Sequence, residues 1–247
     1  MRFFIKFSYR GSRYHGWQNQ PNAITVQQVL ETALSTLLRS PIAIVGAGRT
    51  DAGVHAKEMY AHFDFEDNLE TDELVLRLNA FLPNDIAIIG IFAVPDDAHA
   101  RFDASARTYQ YWVVQKKDPF NYDWAHLVRQ PLNIEAMNKA AGHLMKYDDF
   151  ACFSKSNTDV KTFICDIRAA FWQMEGDVLV FTITADRFLR NMVRAIVGTL
   201  LDVGLDKMPA EGIKMIIESR DRSMAGASVP AKGLYLTKVN YPENILS

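Results

Sequence analysis

The sequence predicts an α+β fold: two α/β domains, each with a mostly antiparallel sheet and flanking helices, forming a central cleft. Three observations point to it. Between residues 2 and 94, apolar positions alternate between strand and helix periodicity in the order β-α-β-β-α-β. The same order returns between 107 and 241 without any repeat of the sequence itself. At 247 residues, with 49% hydrophobic and 23% charged side chains, the chain suits one large or two small globular domains. The junction falls at residues 96–106, which places the domains at 1–103 and 104–247.

The elements follow in order. Residues 2–9 are rich in aromatic and β-branched side chains and read as a strand. Residues 11–23 form a loop carrying Tyr14, His15, Trp17 and Gln18. Thr25 is a good N-cap for the helix TVQQVLETALSTLLR, in which Val26, Val29, Leu30, Ala33, Leu34, Leu37 and Leu38 recur at helical spacing. Ser40-Pro41 ends that helix. IAIVGAG is a short strand running into a glycine loop, and 59–65 is another strand. A helix at 72–81 stops at Pro83, and 85–94 is an apolar strand. In the second half, 107–115 is a strand and 133–145 a helix. Residues 165–174 and 178–185 form a hairpin turned by Glu175-Gly176-Asp177. A helix at 190–203, a second at 209–218 and a strand at 234–241 complete the chain.

Several function classes are excluded at this level. No apolar run reaches the roughly 18 residues that span a bilayer. The opening MRFFIKFSYR has neither a long apolar core nor a small-residue cleavage site, so no signal peptide is expected. Cys152 and Cys165 are too few for a disulfide framework and too far apart for a metal knuckle, which suggests a reduced, cytoplasmic protein. The six histidines show no metal-ligand spacing. The formal net charge of -2 argues against nucleic-acid binding by bulk charge alone, while a local basic cleft remains compatible with it.

The stretch GAGRTDAGVHA, residues 46–56, carries the chemistry. It is not a dinucleotide fingerprint, because Asp51 stands where the third glycine belongs. It is not a phosphate-binding P-loop, because Val54 and His55 follow Gly53 where lysine and a hydroxyl residue are needed. A single Asp-Ala-Gly also falls short of the two Asp-Thr/Ser-Gly turns of an aspartic protease. Two readings stay open: a turn-capping aspartate, or an aspartate that reacts. Arg49 lies two residues before Asp51, and Arg187, Arg190 and Arg194 lie on or beside one later helix, where Arg190 and Arg194 would share a face. An arginine near Asp51 would hold it ionised, and an oriented carboxylate can act as a nucleophile at a sugar or base carbon.

The extended string resembles the tRNA pseudouridine synthase A family, and the resemblance runs on through the chain. YRGSRYHGWQNQ at 9–20 with TVQQVLE at 25–31, NAFLPNDIAI at 79–88, HARFDASARTYQYW at 99–112, DDFACF at 148–153, RFLRNMVRAIVGTLLDVG at 187–204 and VPAKGLYLTKVNY at 229–241 match in order. The resemblance implies isomerisation of uridine to pseudouridine in the tRNA anticodon stem-loop, at positions 38, 39 and 40. It implies no cofactor and no catalytic metal, a homodimer, tRNA rather than DNA as partner, and no membrane association.

By the same resemblance the catalytic aspartate is Asp51, the active-site tyrosine is Tyr109, and Arg194 is the arginine that pairs with the aspartate. Tyr109 could stack on the extruded uracil, and Arg49 and Arg101 are candidates for tRNA contact. His55 reads as a support for the loop. Trp17 reads equally as an RNA contact and as a packing anchor. Met59 stands where the family often has glutamine, and Asp186 where small or neutral residues are common. The competing readings are a non-catalytic tRNA-binding or folding module and a hydrolytic glycosidase or nuclease. Intact Asp51, Tyr109 and Arg194 disfavour the first, and the lack of an evident carboxylate pair or metal cluster disfavours the second.

Overall fold

The structure, a computed structural model, describes residues 1–155 and 161–246. The strands are β1 (Arg2–Tyr9), β2 (Val45–Gly46), β3 (His55–Asp64), β4 (Ile86–Val94), β5 (Ala106–Val114), β6 (His126–Leu127), β7 (Ile167–Glu175), β8 (Val178–Ala185) and β9 (Leu234–Asn240). The α-helices are α1 (Val26–Leu38), α2 (Thr71–Phe81), α3 (Ile134–Leu144), α4 (Met192–Gly204) and α5 (Gly212–Ser219). The chain divides into two compact units, Met1–Arg107 with Tyr235–Ser247, and Thr108–Leu234. The last strand, which sequence order alone assigns to the second half, thus returns to the first unit.

In the first unit the strand order is β4-β1-β3-β9, with β2 against the far edge of β3. β1 is antiparallel to both β3 and β4, whereas β9 runs parallel to β3 through His55↔Tyr235 and Ala56↔Leu236. Phe3 stacks on Phe63 and Phe7 on Trp17, at 5.5 and 5.4 Å between ring centres. Trp17 is 3% exposed, so it is a packing anchor.

Thr25 caps α1 by accepting from Gln28 N–H, as the sequence predicts, and Val26, Leu30, Ala33 and Leu34 are its buried side. The helix stops at Arg39, which adopts φ 53, two residues before Pro41. The strand expected at 42–48 shrinks to Val45–Gly46, because α1 takes the backbone bonds of Ile42 and Ile44. Ser35 Oγ accepts from Ile42 N–H, Glu31 Oε1 accepts from Ile44 N–H, and Gln27 Nε2 donates to the Ile44 carbonyl.

In the second unit the order is β5-β8-β7, with the two-residue β6 parallel to β5. The predicted hairpin forms with Gly176 at φ 60 in its turn. Asn133 caps α3, and α4 is buried along nearly its whole length. Arg190 is not on α4. Asn191 at φ 65 breaks the chain before Met192, so Arg190 and Arg194 do not share a helix face. Cys152 and Cys165 are fully buried, and burial pushes both thiols up to about 12, the condition of inert core residues.

Each unit closes its outer strand by the same device. Asn79 of α2 donates to the Ile88 carbonyl and accepts from Ile88 N–H, at 2.9 and 2.8 Å. Asn138 of α3 does the same to Trp172, at 3.0 and 2.7 Å. A primary amide matches the donor–acceptor pair that an edge strand turns outward, so these bonds occupy groups that would otherwise recruit another chain. No helix among the described residues is long and apolar enough to cross a membrane.

His62 of β3 is 6% exposed, and its Nδ1 accepts from Ala100 N–H. Burial, aided by the charges of Arg2 and His99, lowers its pKa to about 4 against an ordinary 6.5, while Asp64 and Asp103 act weakly in the opposite sense. The folded state therefore binds fewer protons than the unfolded state between these values. Stability held above about pH 6.5 is lost as pH falls towards 4, by as much as about 3 kcal/mol. Urea titrations across this range are expected to show a shallower pH slope for His62→Asn, which keeps an acceptor but does not titrate. An identical slope would contradict the assignment.

Candidate active site

The loop between β2 and β3 is fixed from behind by the loop at residues 11–17. After Ala47 N–H bonds the Tyr60 carbonyl, the chain leaves β3 through Gly48 and the exposed Arg49. Thr50 is buried, its Oγ1 lying 2.8 Å from the Tyr9 hydroxyl and its carbonyl accepting from Trp17 N–H. Asp51, half-buried, opens a four-residue turn closed by Val54 N–H onto its own carbonyl. Gly53 occupies the third position at φ 79, where a type II turn needs glycine, and its N–H bonds the Tyr14 carbonyl. Gly16 lies against this turn. Its φ is 89, and a Cβ there would stand 2.4 Å from the Thr50 carbonyl oxygen.

His55 ends the loop and begins β3. It is 1% exposed, its Nδ1 accepts from Gly11 N–H, and its ring stacks on Tyr235 at 4.7 Å. An imidazole that accepts at Nδ1 carries its proton on Nε2, so His55 supports the loop, as the sequence suggests. Beside it opens a cavity of about 260 Å³ whose walls include Arg10, Lys57, Asn84 and Tyr235. Met59, where the resemblance expects glutamine, is fully buried in β3.

Arg107, which no sequence motif singles out, ties this loop to the Arg101 segment. The Arg107 guanidinium donates to the carbonyls of Ala47, Arg101 and Ala104, at 3.0, 2.6 and 2.8 Å. One rigid fork thereby holds two stretches of backbone at once. Arg101 is exposed, its guanidinium carbon 5.7 Å from the centre of the exposed Phe102 ring.

The second unit carries Tyr109 and Arg194. Tyr109 lies in β5 with its ring edge-on to Phe188 at 5.2 Å. Two residues on, and so on the same face of the strand, the buried Tyr111 donates to the Pro230 carbonyl. Arg194, in the first turn of α4, donates through Nε to the Val229 carbonyl at 2.7 Å, and Val229 N–H returns a bond to the Arg194 carbonyl. The segment 229–230 thus anchors both Arg194 and the strand face that carries Tyr109. Asp186 accepts from the N–H groups of Asp166 and Arg187, both at 2.7 Å, so its carboxylate has a local structural task. Among the described residues no three His, Cys, Asp or Glu side chains gather as a metal ion would require.

A model of the tRNA pseudouridine synthase family matches residues 6–103 and 140–242. The chain belongs to the tRNA pseudouridine synthase family. Within it, the chain is 54% identical over 245 residues to tRNA pseudouridine synthase A of Parabacteroides distasonis, covering 99% of this chain and 97% of that one. It is 55% identical over 249 residues to tRNA pseudouridine synthase A of Bacteroides thetaiotaomicron, covering 100% and 93%. It is 39% identical to the protein of that name from a Thermoanaerobacter species, covering 96% and 98%. Arg49, Asp51 and Arg101 fall in the first segment matched by the family model and Arg194 in the second, while Tyr109 falls between them.

Replacing Arg107 with methionine is expected to lower the urea midpoint by the equivalent of about 2 kcal/mol, because three carbonyls lose a charged donor. Lysine should recover only part of this, since one ammonium lacks the reach of the fork. An unchanged midpoint for Arg107→Met would show that the three bonds carry no net stability.

Proposed function

We propose that this chain is a tRNA uridine isomerase that converts uridine to pseudouridine in the anticodon stem-loop, with Asp51 as nucleophile. The observation that carries the reading is full-length identity to proteins named tRNA pseudouridine synthase A, together with an aspartate on a turn held rigidly from behind. The enzyme works in the cytoplasm as a homodimer, and its partner is tRNA, not DNA.

The reaction rearranges one nucleotide without adding or removing atoms overall. The N1–C1′ bond breaks, the uracil turns within the site, C5 bonds to C1′, and the proton lost from C5 is balanced by one gained at N1. The Asp51 carboxylate starts this by attacking C1′, or by taking a sugar proton to give a glycal. No water is consumed, so no second carboxylate is needed to activate one, unlike a hydrolytic glycosidase. The target nucleotide is turned out of its stack to reach the aspartate. Tyr109 stacks on the released uracil, and its hydroxyl can relay a proton. Arg194 is the arginine that the resemblance matches to the site, and its bond to the Val229 carbonyl fixes the guanidinium in advance. Arg49 and Arg101, both exposed, contact the RNA backbone.

Unmodified tRNA tritiated at C5 of uridine tests this directly. The wild type is expected to release tritium in the presence of EDTA. Asp51→Asn, which keeps the shape and loses the charge, should bind the same tRNA but release tritium at least about 10³-fold more slowly. Loss of binding together with turnover would make Asp51 structural, and retained turnover would remove it from the chemistry. A monomer in light scattering at micromolar concentration would contradict the dimer.

A further inference from the structure

We infer that the loop between β5 and β6 is a base-stacking finger, with Phe120 as its tip, that contacts an unpaired nucleotide of the bound tRNA. This rests on the tRNA reading above and adds a binding element to it. The loop lies between the two segments matched by the family model, so that match does not extend to it.

Phe120 is 86% exposed, the highest value among the large hydrophobic side chains of the described residues, and Tyr122 is 61% exposed. Both stand on a backbone bound to itself. Asp118 Oδ1 accepts from Phe120 N–H at 2.9 Å, and Asp118 Oδ2 accepts from Asn121 Nδ2 at 2.6 Å. Trp124 and Ala125 N–H both donate to the Asn121 carbonyl. Pro119 sets φ in the middle of this turn. Lys232 donates to the Tyr122 carbonyl and holds its ammonium 4.3 Å from the centre of the Tyr122 ring. The loop is thus ordered before any ligand arrives, so little ordering entropy remains to be lost on binding.

The chemistry around the tip selects the partner. Lys116 and Lys117, both exposed, precede it, and the Asp118 carboxylate is spent inside the turn. Two aromatic rings, with two lysines before them and Asp123 after them, lack the continuous apolar area of a protein interface, whose core is depleted of lysine. The loop has the two parts that a single-stranded nucleic acid requires: a π-face for a base and cations for the adjoining phosphates.

The test measures binding of unmodified tRNA to full-length variants across a salt series, with light scattering alongside. Phe120→Ser and Phe120→Leu are each expected to weaken binding about tenfold, while Phe120→Trp stays within about twofold of wild type. Replacing Lys116 and Lys117 together by serine should flatten the plot of log affinity against log salt by about one to two units. Wild-type affinity in Phe120→Leu would overturn the inference, because leucine keeps apolar contact and loses the π-face. Wild-type affinity in Phe120→Ser would also overturn it, as would a change of oligomeric state in that variant, which would assign the tip to contact between copies. Absence of tritium release from the wild type would count against the isomerase reading alone, since the binding comparison does not use turnover.

Discussion

The approach of Gly16 to the carbonyl of Thr50 sets the position of Asp51, the proposed nucleophile. Loops must satisfy their backbone polar groups, and a reactive side chain on a loop is only as well placed as the backbone beneath it. Here Trp17 N–H, the Tyr9 hydroxyl and the Tyr14 carbonyl each bond a residue within one or two positions of Asp51. Any side chain on residue 16 would enter that space, and its φ of 89 is one that most residues avoid. The loop at 11–17 is itself pinned by Trp17 against Phe7 and by the start of α1, where Val26 and Gln27 N–H bond the Gly16 and Trp17 carbonyls. Strand, helix and the Asp51 turn therefore form one cooperative block.

Some of the acidic side chains are spent inside the fold. Asp118, Asp186 and Asp64 are engaged by backbone amides or by arginine. Glu58 pairs with Lys6. Arg49, Arg101, Lys116 and Lys117 remain exposed. A net charge sums over the whole chain, whereas a nucleic acid responds to the charges on the face it meets.

Much of this was legible in the sequence. Thr25 announced α1, Gly176 announced the β7–β8 turn, and the glycines around Asp51 marked a tight loop. What escaped depends on contacts between residues distant in the chain. The stretch 42–44 looks like a strand, but its hydrogen bonds go to Ser35, Glu31 and Gln27 on a helix. Arg190 sits at helical spacing from Arg194, but Asn191 leaves the helical region of backbone space. β9 follows the second half in the chain and pairs with β3. Arg107 stands inside a recognised motif, yet its three carbonyl partners lie 3, 6 and 60 residues away. No local pattern reports such a bond.

Backbone packing at Gly16 places Asp51, the proposed nucleophile, for reaction. Single-turnover tritium release by Gly16→Ala, with tRNA affinity measured on the same protein, tests it most directly. A displacement of the turn by an ångström can cost about 10²-fold in rate, so release should slow by that order while affinity stays within about threefold and unfolding stays cooperative. Wild-type release from a folded Gly16→Ala protein would show that Asp51 is positioned by something other than the loop behind it.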